Sequence, residues 1–382
     1  MSVSILIACD KFKGTLSAID ACQAIKKGIH HVSDNLMCDV HAMADGGEGS
    51  LSSLRLHIPM QSVQITVSDP LGRPVQAEYG YCDHTAYIET AAACGLQHLN
   101  HHERNPLNTS TYGVGLMIMD AIQRGCQTIH LFVGGSATHD GGAGMASACG
   151  FRFTGKNKKI LPVKGSNLQE ITGVIPSPHF HLLHQISFFV WADVRVPICG
   201  PNGAASLFAR QKGANPPAVT RLDGGLKHLS QFYSQFLNKK NHTEQELISD
   251  GGAAGGLAAG CAAFLGGRMG SGFQFISETT GLNTKILAAD YVISGEGSID
   301  NQSVRGKVIS GIAEVCRTFH KPLILACGKR NISTKNLAML NPLIMYTMVS
   351  EDIPLKTSFA HASQILEDIG IKIGLFISDH HK

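Results

Sequence analysis

The chain has 382 residues, enough for two or three domains with cores of ordinary size. It is 43% hydrophobic and only 16% charged, with 42 glycines, which is typical of a soluble α/β enzyme with many turns. The formal net charge of +3 is small and dispersed along the chain, so neither a nucleic-acid partner nor an anionic membrane is indicated.

The 11 cysteines are scattered and form no Cys-x-x-Cys pair, which favours reduced thiols over a disulfide framework or a zinc site. The apolar start of the chain is too short for a signal peptide, because Asp10 follows it at once. The longest tract of small apolar residues, 256–267, falls short of the roughly 20 residues that a membrane helix needs. We therefore expect a cytoplasmic protein with no membrane partner.

The N-terminal part alternates strands and helices. Residues 4–8 are apolar and predict a buried strand, and residues 38–44 predict a second one. Between them, Ser17 with Asp20 three positions later resembles a capping box. Apolar side chains then recur at helical spacing as far as Val32, so we expect an amphipathic helix with one packed face.

A different pattern begins near Pro59. From 63 to 81, apolar and polar residues alternate on either side of a turn at 69–74, which predicts an antiparallel hairpin. Residues 112–124 show helical periodicity and lead into a short apolar strand, 128–133. The middle of the chain is therefore expected to be a mixture of strands, helices and many turns.

The glycine-rich stretch 134–144 separates that strand from a short predicted helix at 145–149. Its small side chains would leave backbone N–H groups open to a ligand, and the start of the helix adds a positive dipole end. Ser136, Thr138 and Asp140 add hydroxyls and a carboxylate, a combination that suits phosphate with Mg²⁺. The alternative is a tight turn in which Asp140 caps the helix.

Strand–helix alternation returns towards the C-terminus. Strands are predicted at 186–193, 289–294, 322–328 and 343–349, and helices at 308–316 and 362–375. Alternation of this kind implies parallel strands with helices on the faces of the sheet. In such sheets, ligands bind at the carboxyl ends of the strands.

Acidic residues follow five of the predicted strands. They are Asp10, Asp45, Asp140, Asp193, and Glu296 with Asp300. A single acidic loop would mean little, but recurrence at the same end of the strand indicates a shared site at that edge.

Several common signatures are absent from the sequence: the G-x-x-x-x-G-K-[ST] loop, a complete G-x-G-x-x-G and the G-x-S-x-G elbow. The loops do contain glycine turns, carboxylates and the lysines at 11, 13, 212 and 307. Phosphoryl transfer needs those parts: N–H groups and a cation for the phosphates, one carboxylate for Mg²⁺ and another for the hydroxyl proton. Taken singly, Lys13 and Lys307 fit solvated surface residues and Asp300 fits a cap, whereas Glu48, between glycines, is harder to explain as a surface charge.

Together these stretches resemble the bacterial type I glycerate kinase family. The matching segments span almost the whole chain in the expected order: 10–18, 43–50, 134–145, 200–214 and 294–300. One such match would be weak, but five in register are specific. His139, Ser50 and Arg195 depart from the residue types expected there, which bears on substrate preference more than on activity.

The resemblance implies an α/β fold with two domains. A Rossmann-like parallel-sheet domain would be built from both chain ends, 1–60 plus 286–382, and a mixed α/β domain, 61–285, would be inserted, with the active site in the cleft. The resemblance also implies a kinase with ATP and Mg²⁺ as cofactors and D-glycerate as its small-molecule substrate. The expected product is 2-phosphoglycerate; 3-phosphoglycerate stays open as the product, as does a homodimer as the oligomeric state.

Site residues receive hypothetical roles on this basis. The catalytic set is Asp193, Asp45 and Lys13. The nucleotide is assigned to Gly134, Gly135, Ser136, Thr138, Asp140, Gly295 and Glu296. Glycerate is assigned to Lys11, Glu48 and Lys212, and Mg²⁺ to Asp140 and Asp193.

Two alternatives to this function stay open. One is a kinase for another small hydroxyacid or a sugar acid on the same scaffold. The other is a non-catalytic anion- or nucleotide-binding sensor. The carboxylates beside the glycine loops argue against a sensor, because a simple anion binder would avoid negative charge there.

Overall fold

The structure, a computed structural model, describes residues 2–238, 241–301, 303–304, 307–350 and 353–380. Its strands are β1 Val3–Cys9, β2 Leu36–Val40, β3 Gln61–Ser68, β4 Pro74–Cys82, β5 Thr85–Glu89, β6 Thr128–Phe132, β7 Arg152–Thr154, β8 Gly173–Ile175, β9 Ser187–Trp191, β10 Arg268–Gly270, β11 Tyr291–Asp300, β12 Leu323–Asn331 and β13 Ile344–Thr347. Its α-helices are α1 Ala18–His30, α2 Ser50–Arg55, α3 Ala91–Cys94, α4 Tyr112–Gln123, α5 Ala143–Ala148, α6 Phe180–Leu183, α7 Ala204–Phe208, α8 Pro216–Tyr233, α9 Glu244–Asp250, α10 Ala253–Leu265, α11 Gly272–Thr280, α12 Leu282–Ala288, α13 Val308–Thr318, α14 Thr334–Leu340, α15 Leu355–Ala360 and α16 Ala362–His380. Short 3₁₀ helices lie at Leu96–His98, His101–Glu103, Lys156–Lys158, Leu168–Glu170 and Arg210–Lys212.

Contacts within the chain divide it into two compact units. The first comprises Met1–Asp45, Ser52–His57 and Ser271–Lys382, and the second comprises Gly46–Leu51 and Ile58–Gly270. The domain boundaries set from the sequence stay a prediction. Among the described helices, none has both the length and the apolar character needed to cross a membrane.

The first unit is built on a five-stranded sheet in the order β13-β12-β11-β1-β2, in which every neighbouring pair is parallel. This is the doubly wound, Rossmann-like arrangement expected for the two chain ends. Its strand order changes direction between β1 and β11, because the chain adds β2 on one side of β1 and β11 on the other.

Helices α1 and α16 cover one face of this sheet and share a buried apolar cluster with it. Ser17 caps α1 by accepting the Asp20 N–H, which confirms the predicted start of the helix. The two helices approach closely where a Cβ on Gly28 would lie 1.9 Å from the Glu367 carbonyl oxygen. Glycine at this position therefore sets the separation of the helices.

The second unit contains a six-stranded sheet in the order β10-β9-β6-β5-β4-β3. The strands from β10 to β5 are parallel, whereas β5, β4 and β3 pair in antiparallel fashion. The predicted hairpin is confirmed in β3 and β4, with Val67 opposite Val75. Asp69 closes its turn by accepting the N–H groups of Leu71 and Arg73.

One predicted strand end was wrong. The strand predicted at 289–294 was expected to be followed by a loop, but β11 continues through residues 295–300 and pairs with β12 as far as Asp300 opposite Asn331. At the start of α10, Ala254 and the two glycines after it take left-handed backbone angles. Packing explains the first of these glycines, because a Cβ on Gly255 would lie 2.1 Å from the Thr138 carbonyl oxygen.

All 11 cysteines are free thiols, as the scattered spacing predicted. Eight of them are buried: Cys9, Cys22, Cys94, Cys126, Cys149, Cys261, Cys316 and Cys327. Six of them, all but Cys316 and Cys327, belong to the two large apolar clusters, where they serve as small apolar residues.

Candidate active site

In the first unit, the carboxyl end of β1 lies beside Gly295, midway along β11, where the strand order changes direction. Asp10 follows β1 directly, and its N–H donates to the Gly295 carbonyl oxygen over 2.9 Å. Glu296 comes next on β11, and both acidic residues are more than nine-tenths buried. Crevices at such switch points are where open α/β sheets bind ligands.

Two carboxylates lie near one lysine at this edge. Lys11 Nζ lies 3.7 Å from Asp10 Oδ1 and 3.7 Å from Asp45 Oδ1. Burial raises the pKa of Asp10 to about 7; Lys11 opposes this rise, and the charges of Asp45 and Glu296 add to it. Burial also raises the pKa of Glu296, whose Oε1 accepts the hydroxyl of Ser303. An acid that titrates near neutral pH at a strand edge is suited to general acid–base catalysis.

The other predicted residues of this unit are Lys13 and Gly295. Lys13 is exposed, and its backbone nitrogen would lie 3.0 Å from a Cβ on Gly297. A Cβ on Gly295 would lie 2.1 Å from the Ala326 carbonyl oxygen, so this glycine serves the close pairing of β11 with β12. Its assignment to the nucleotide stays a prediction.

In the second unit, the glycine-rich loop follows β6. A Cβ on Gly134 would lie 2.6 Å from the Cα of Gly47, so two glycine-containing segments approach backbone to backbone. Gly135 has a φ of 78°, which favours glycine. Ser136 and Thr138 are buried further along the loop.

Lys212 brings a buried amino group to this loop. It is 3% exposed, and its Nζ donates to Ser136 Oγ over 3.0 Å and to the Thr138 carbonyl oxygen over 2.9 Å. Burial lowers the pKa of Lys212 to about 7, while the nearby Cys94 and Asp140 oppose that change. The ammonium form has three N–H groups, and the two described bonds leave one to donate to an anionic oxygen.

Asp140 organises the loop from within. Its Oδ2 accepts the N–H of Thr111 over 2.7 Å, the Thr111 hydroxyl over 2.8 Å, and more weakly the Gly144 N–H and the Ser110 hydroxyl. Its Oδ1 accepts the Gly142 N–H. Burial raises the pKa of Asp140, and these hydrogen bonds counter the rise. The structure thus favours the capping alternative: the first N–H groups of α5 are bound by Asp140 instead of lying open to a ligand.

Asp193 lies two residues beyond the carboxyl end of β9 and is partly exposed. Because β9 and β6 are parallel neighbours, with Trp191 opposite Phe132, Asp193 and the glycine-rich loop emerge at the same edge of the sheet. Glu48 is exposed and lies two residues before α2. Nearby, Glu89 accepts the N–H of Leu51 in the first turn of that helix.

The predicted residues therefore form two groups, each within its own unit. The first contains Lys11, Asp45 and Glu296, together with Asp10, which was expected at this edge without an assigned role. The second contains Gly134, Gly135, Ser136, Thr138, Asp140 and Lys212, with Asp193 at the same sheet edge. Asp10 received no role from the sequence, although its place directly after a buried strand was the available signal; its burial is visible only in three dimensions.

The sequence matches the model of the glycerate kinase family over residues 5–378. The chain belongs to the glycerate kinase family. Family membership confirms that the protein is an enzyme, a kinase, which removes the non-catalytic sensor as an alternative.

Relatives in this family cover most of the chain. The glycerate kinase of Halalkalibacterium halodurans is 38% identical over 327 residues, 85% of each chain. The glycerate 2-kinase of Escherichia coli K12 is 36% identical over 328 residues, again 85% of each chain. The glycerate kinase of Bacillus subtilis 168 is 32% identical over 367 residues, 96% of this chain and 95% of that one.

A solved structure also resembles this glycerate kinase family member. It is a crystal structure provisionally described as glycerate kinase 2 from Salmonella typhimurium LT2. The two chains are 30% identical, cover each other completely and superimpose with a TM-score of 0.80. The α/β fold class, with one parallel and one mixed sheet, is thereby confirmed.

Proposed function

We propose that this family member transfers the γ-phosphoryl group of ATP to D-glycerate in the presence of Mg²⁺ and yields 2-phosphoglycerate. The observation that carries the proposal is Lys212, an almost fully buried lysine bonded to the glycine-rich loop. Burying a lysine without a bonded carboxylate is costly unless an anion joins it in the working state. The names of the relatives support glycerate as the acceptor, and the E. coli relative supports the 2-hydroxyl.

Phosphoryl transfer depends on positioning and on neutralising negative charge, which assigns tasks to the second unit. We infer that the backbone of Gly134 and Gly135 and the hydroxyls of Ser136 and Thr138 line the path of the phosphates. Lys212 then neutralises the transferred group or the glycerate carboxylate, since it already donates to Ser136. In the reaction the bond from the γ-phosphorus to the ADP oxygen breaks as a bond to the glycerate oxygen forms.

The glycerate hydroxyl must lose its proton as this bond forms, and a carboxylate is the expected acceptor. Asp45 and Asp193 stay proposals for this role. Asp10 joins them because its raised pKa, about 7, would let it hold and release a proton near neutral pH. Lys11 and Lys13 are proposed to attract the anionic substrates, and Glu48 to orient the glycerate hydroxyls.

Mg²⁺ would neutralise phosphate charge when bound, and carboxylates of this chain would hold it. Among the described residues no group of three or more His, Cys, Asp or Glu side chains is arranged around a metal position. Magnesium in kinases often takes only one or two carboxylates in addition to substrate phosphates. Asp193, partly exposed at the strand edge, suits this arrangement. Asp140 suits it less, because its oxygens already accept several hydrogen bonds.

A direct assay tests the proposal. D-Glycerate and Mg-ATP should release ADP in a coupled assay, and chelation of Mg²⁺ should abolish the release. Phosphorus NMR of the product should give the signal of 2-phosphoglycerate; the 3-phosphate would overturn the choice of hydroxyl. The remaining alternative, a kinase for another small hydroxyacid or a sugar acid, is tested with a panel of such acids. If one of them were turned over faster than glycerate, it would be assigned as the substrate instead. The cytoplasmic location and a homodimer remain predictions.

A further inference from the structure

A small cavity opens at the carboxyl end of β9 and β10 in the second unit. Its volume is about 220 Å³. Ala192 and Val194, the two neighbours of Asp193, both line it, together with Gly270 at the end of β10. Because the carboxyl ends of parallel strands are where α/β sheets bind ligands, the position marks this cavity as a binding site.

The polar lining of the cavity has opposite charges that do not pair with each other. Arg195 and Asp250 line it, and within the described part of the chain neither forms a hydrogen bond or an ion pair through its side chain. Glu246 lines it too; its Oε2 accepts the backbone N–H and the hydroxyl of Thr243, and no described residue is bonded to its Oε1. A guanidinium and two carboxylates around one small cavity, without an ion pair between them, can each receive part of a ligand.

The position of Asp250 points the same way. It is the last residue of α9, where the helix dipole disfavours an acidic side chain. No described cation pairs with it to offset that effect. A residue at a site unfavourable for stability, facing a cavity at a strand edge, is better explained by ligand binding than by folding.

The remaining lining is neutral and fixed. His242 Nε2 accepts the Met269 N–H over 3.1 Å, which places the proton of the neutral ring on Nδ1, and burial lowers the pKa of this histidine. Asn241 is also engaged, since it accepts from Arg268 and donates to the Gly266 carbonyl oxygen. Arg195 is therefore the cation that the described lining offers to a ligand.

From this arrangement we infer that the cavity binds a small hydroxycarboxylate, glycerate in the proposed reaction, with its carboxylate on Arg195 and its hydroxyls donating to Asp250 and Glu246. Of the two tasks left open for Lys212, this assignment selects the transferred phosphoryl group, and Asp250 and Glu246 take the place of Glu48 at the glycerate hydroxyls. At about 220 Å³ the cavity is smaller than the roughly 300–1,000 Å³ of pockets that hold drug-sized ligands, which suits a three-carbon acid. The assignment to glycerate rests on the proposed function.

Substitution of Arg195 tests the inference. The variant Arg195→Met should raise KM for D-glycerate about ten- to hundredfold, because charged hydrogen bonds are lost, while KM for ATP changes less than about twofold. The KM of Arg195→Lys for D-glycerate should lie between those of the wild type and Arg195→Met, since a lysine keeps the charge but not the bidentate fork. The matched control is Arg152→Met, which changes an exposed arginine of β7 outside this cavity and should leave both KM values unchanged.

Direct binding supplies a second measurement. In titration calorimetry, the wild type should bind D-glycerate more tightly than glycerol or D-serine. Arg195→Met should lose the preference for glycerate over glycerol, because glycerol lacks the carboxylate. Asp250→Asn should weaken glycerate without changing that preference, and it keeps the test available if Arg195→Met does not fold. Tighter binding of D-serine would indicate an ammonium ligand and overturn the inference, as would an unchanged KM for glycerate or an equal rise in both KM values. If the wild type releases no ADP with D-glycerate, the proposed function fails, and calorimetry still decides whether the cavity binds a hydroxycarboxylate.

Discussion

Replacing Lys212 with methionine should separate stability from activity. The amino group is almost fully buried, and its pKa is lowered from near 10.5 to about 7. Between those values the unfolded chain binds a proton that the folded chain does not, so the wild type should become more stable as pH rises from about 7 to 10.5. One pKa unit corresponds to about 1.4 kcal/mol, so burying this charge destabilises the fold by about 5 kcal/mol at pH 7 and below.

Methionine removes that cost but leaves two acceptors, Ser136 Oγ and the Thr138 carbonyl oxygen, without their donor. Each lost hydrogen bond costs about 1–2 kcal/mol. Because burial of the charge costs more than the two hydrogen bonds together, Lys212→Met should raise the free energy of unfolding by about 1–3 kcal/mol at pH 7, with no gain near pH 10.5. Phosphoryl transfer should meanwhile fall about 10²–10³-fold, as expected when one charge-stabilising group is removed.

Urea unfolding followed by circular dichroism at several pH values measures the first effect, and ADP release measures the second. Lys227→Met, at an exposed position of α8, is the matched control and should change neither the pH dependence nor the activity. The reasoning would be refuted by a Lys212→Met variant that is less stable than the wild type at pH 7. It would equally be refuted if the variant turned over glycerate at the wild-type rate.

Three further substitutions test other parts of the structure. Gly134→Ala puts a Cβ 2.6 Å from the Gly47 Cα and should lower the free energy of unfolding, measured in urea, by about 1–3 kcal/mol. Gly281→Ala is the control, because its new Cβ would contact no atom while its φ of 70° strains an alanine, so it measures backbone strain alone. Equal losses of stability in the two variants would contradict the steric argument. His41 is fully buried, and burial lowers its pKa to about 4, so the wild type should lose stability as pH falls from about 6.5 to 4. In melts at several pH values, His41→Phe should remove up to about 3 kcal/mol of that loss. An unchanged dependence of stability on pH would refute this prediction. Asp193→Asn should lower turnover about 10²–10⁴-fold without changing the urea unfolding curve. The control Asp34→Asn, at an exposed position, should retain full activity. Near-full turnover by Asp193→Asn would remove Asp193 from the catalytic set.

The sequence was sufficient where the deciding interactions are local. The helix that Ser17 caps, the hairpin turn closed by Asp69 and the alternation of strands and helices all depend on residues a few positions apart. The order of motifs along the chain was likewise enough to reach the family. The acidic residues at strand ends were expected to share one sheet edge. Asp10 and Glu296 are neighbours in the first sheet, but Asp140 and Asp193 follow strands of the second.

Only the tertiary structure decided which charged groups lose contact with water. Lys212 reaches a serine 76 positions away, and Asp140 is bonded by a threonine 29 positions away, so neither burial nor partner could be read from the neighbouring residues. The same applies to Arg195 and Asp250, which line one cavity although they are 55 positions apart in the chain. The chain sets its turns and periodicity locally, whereas desolvation and the pKa shifts that follow depend on long-range packing.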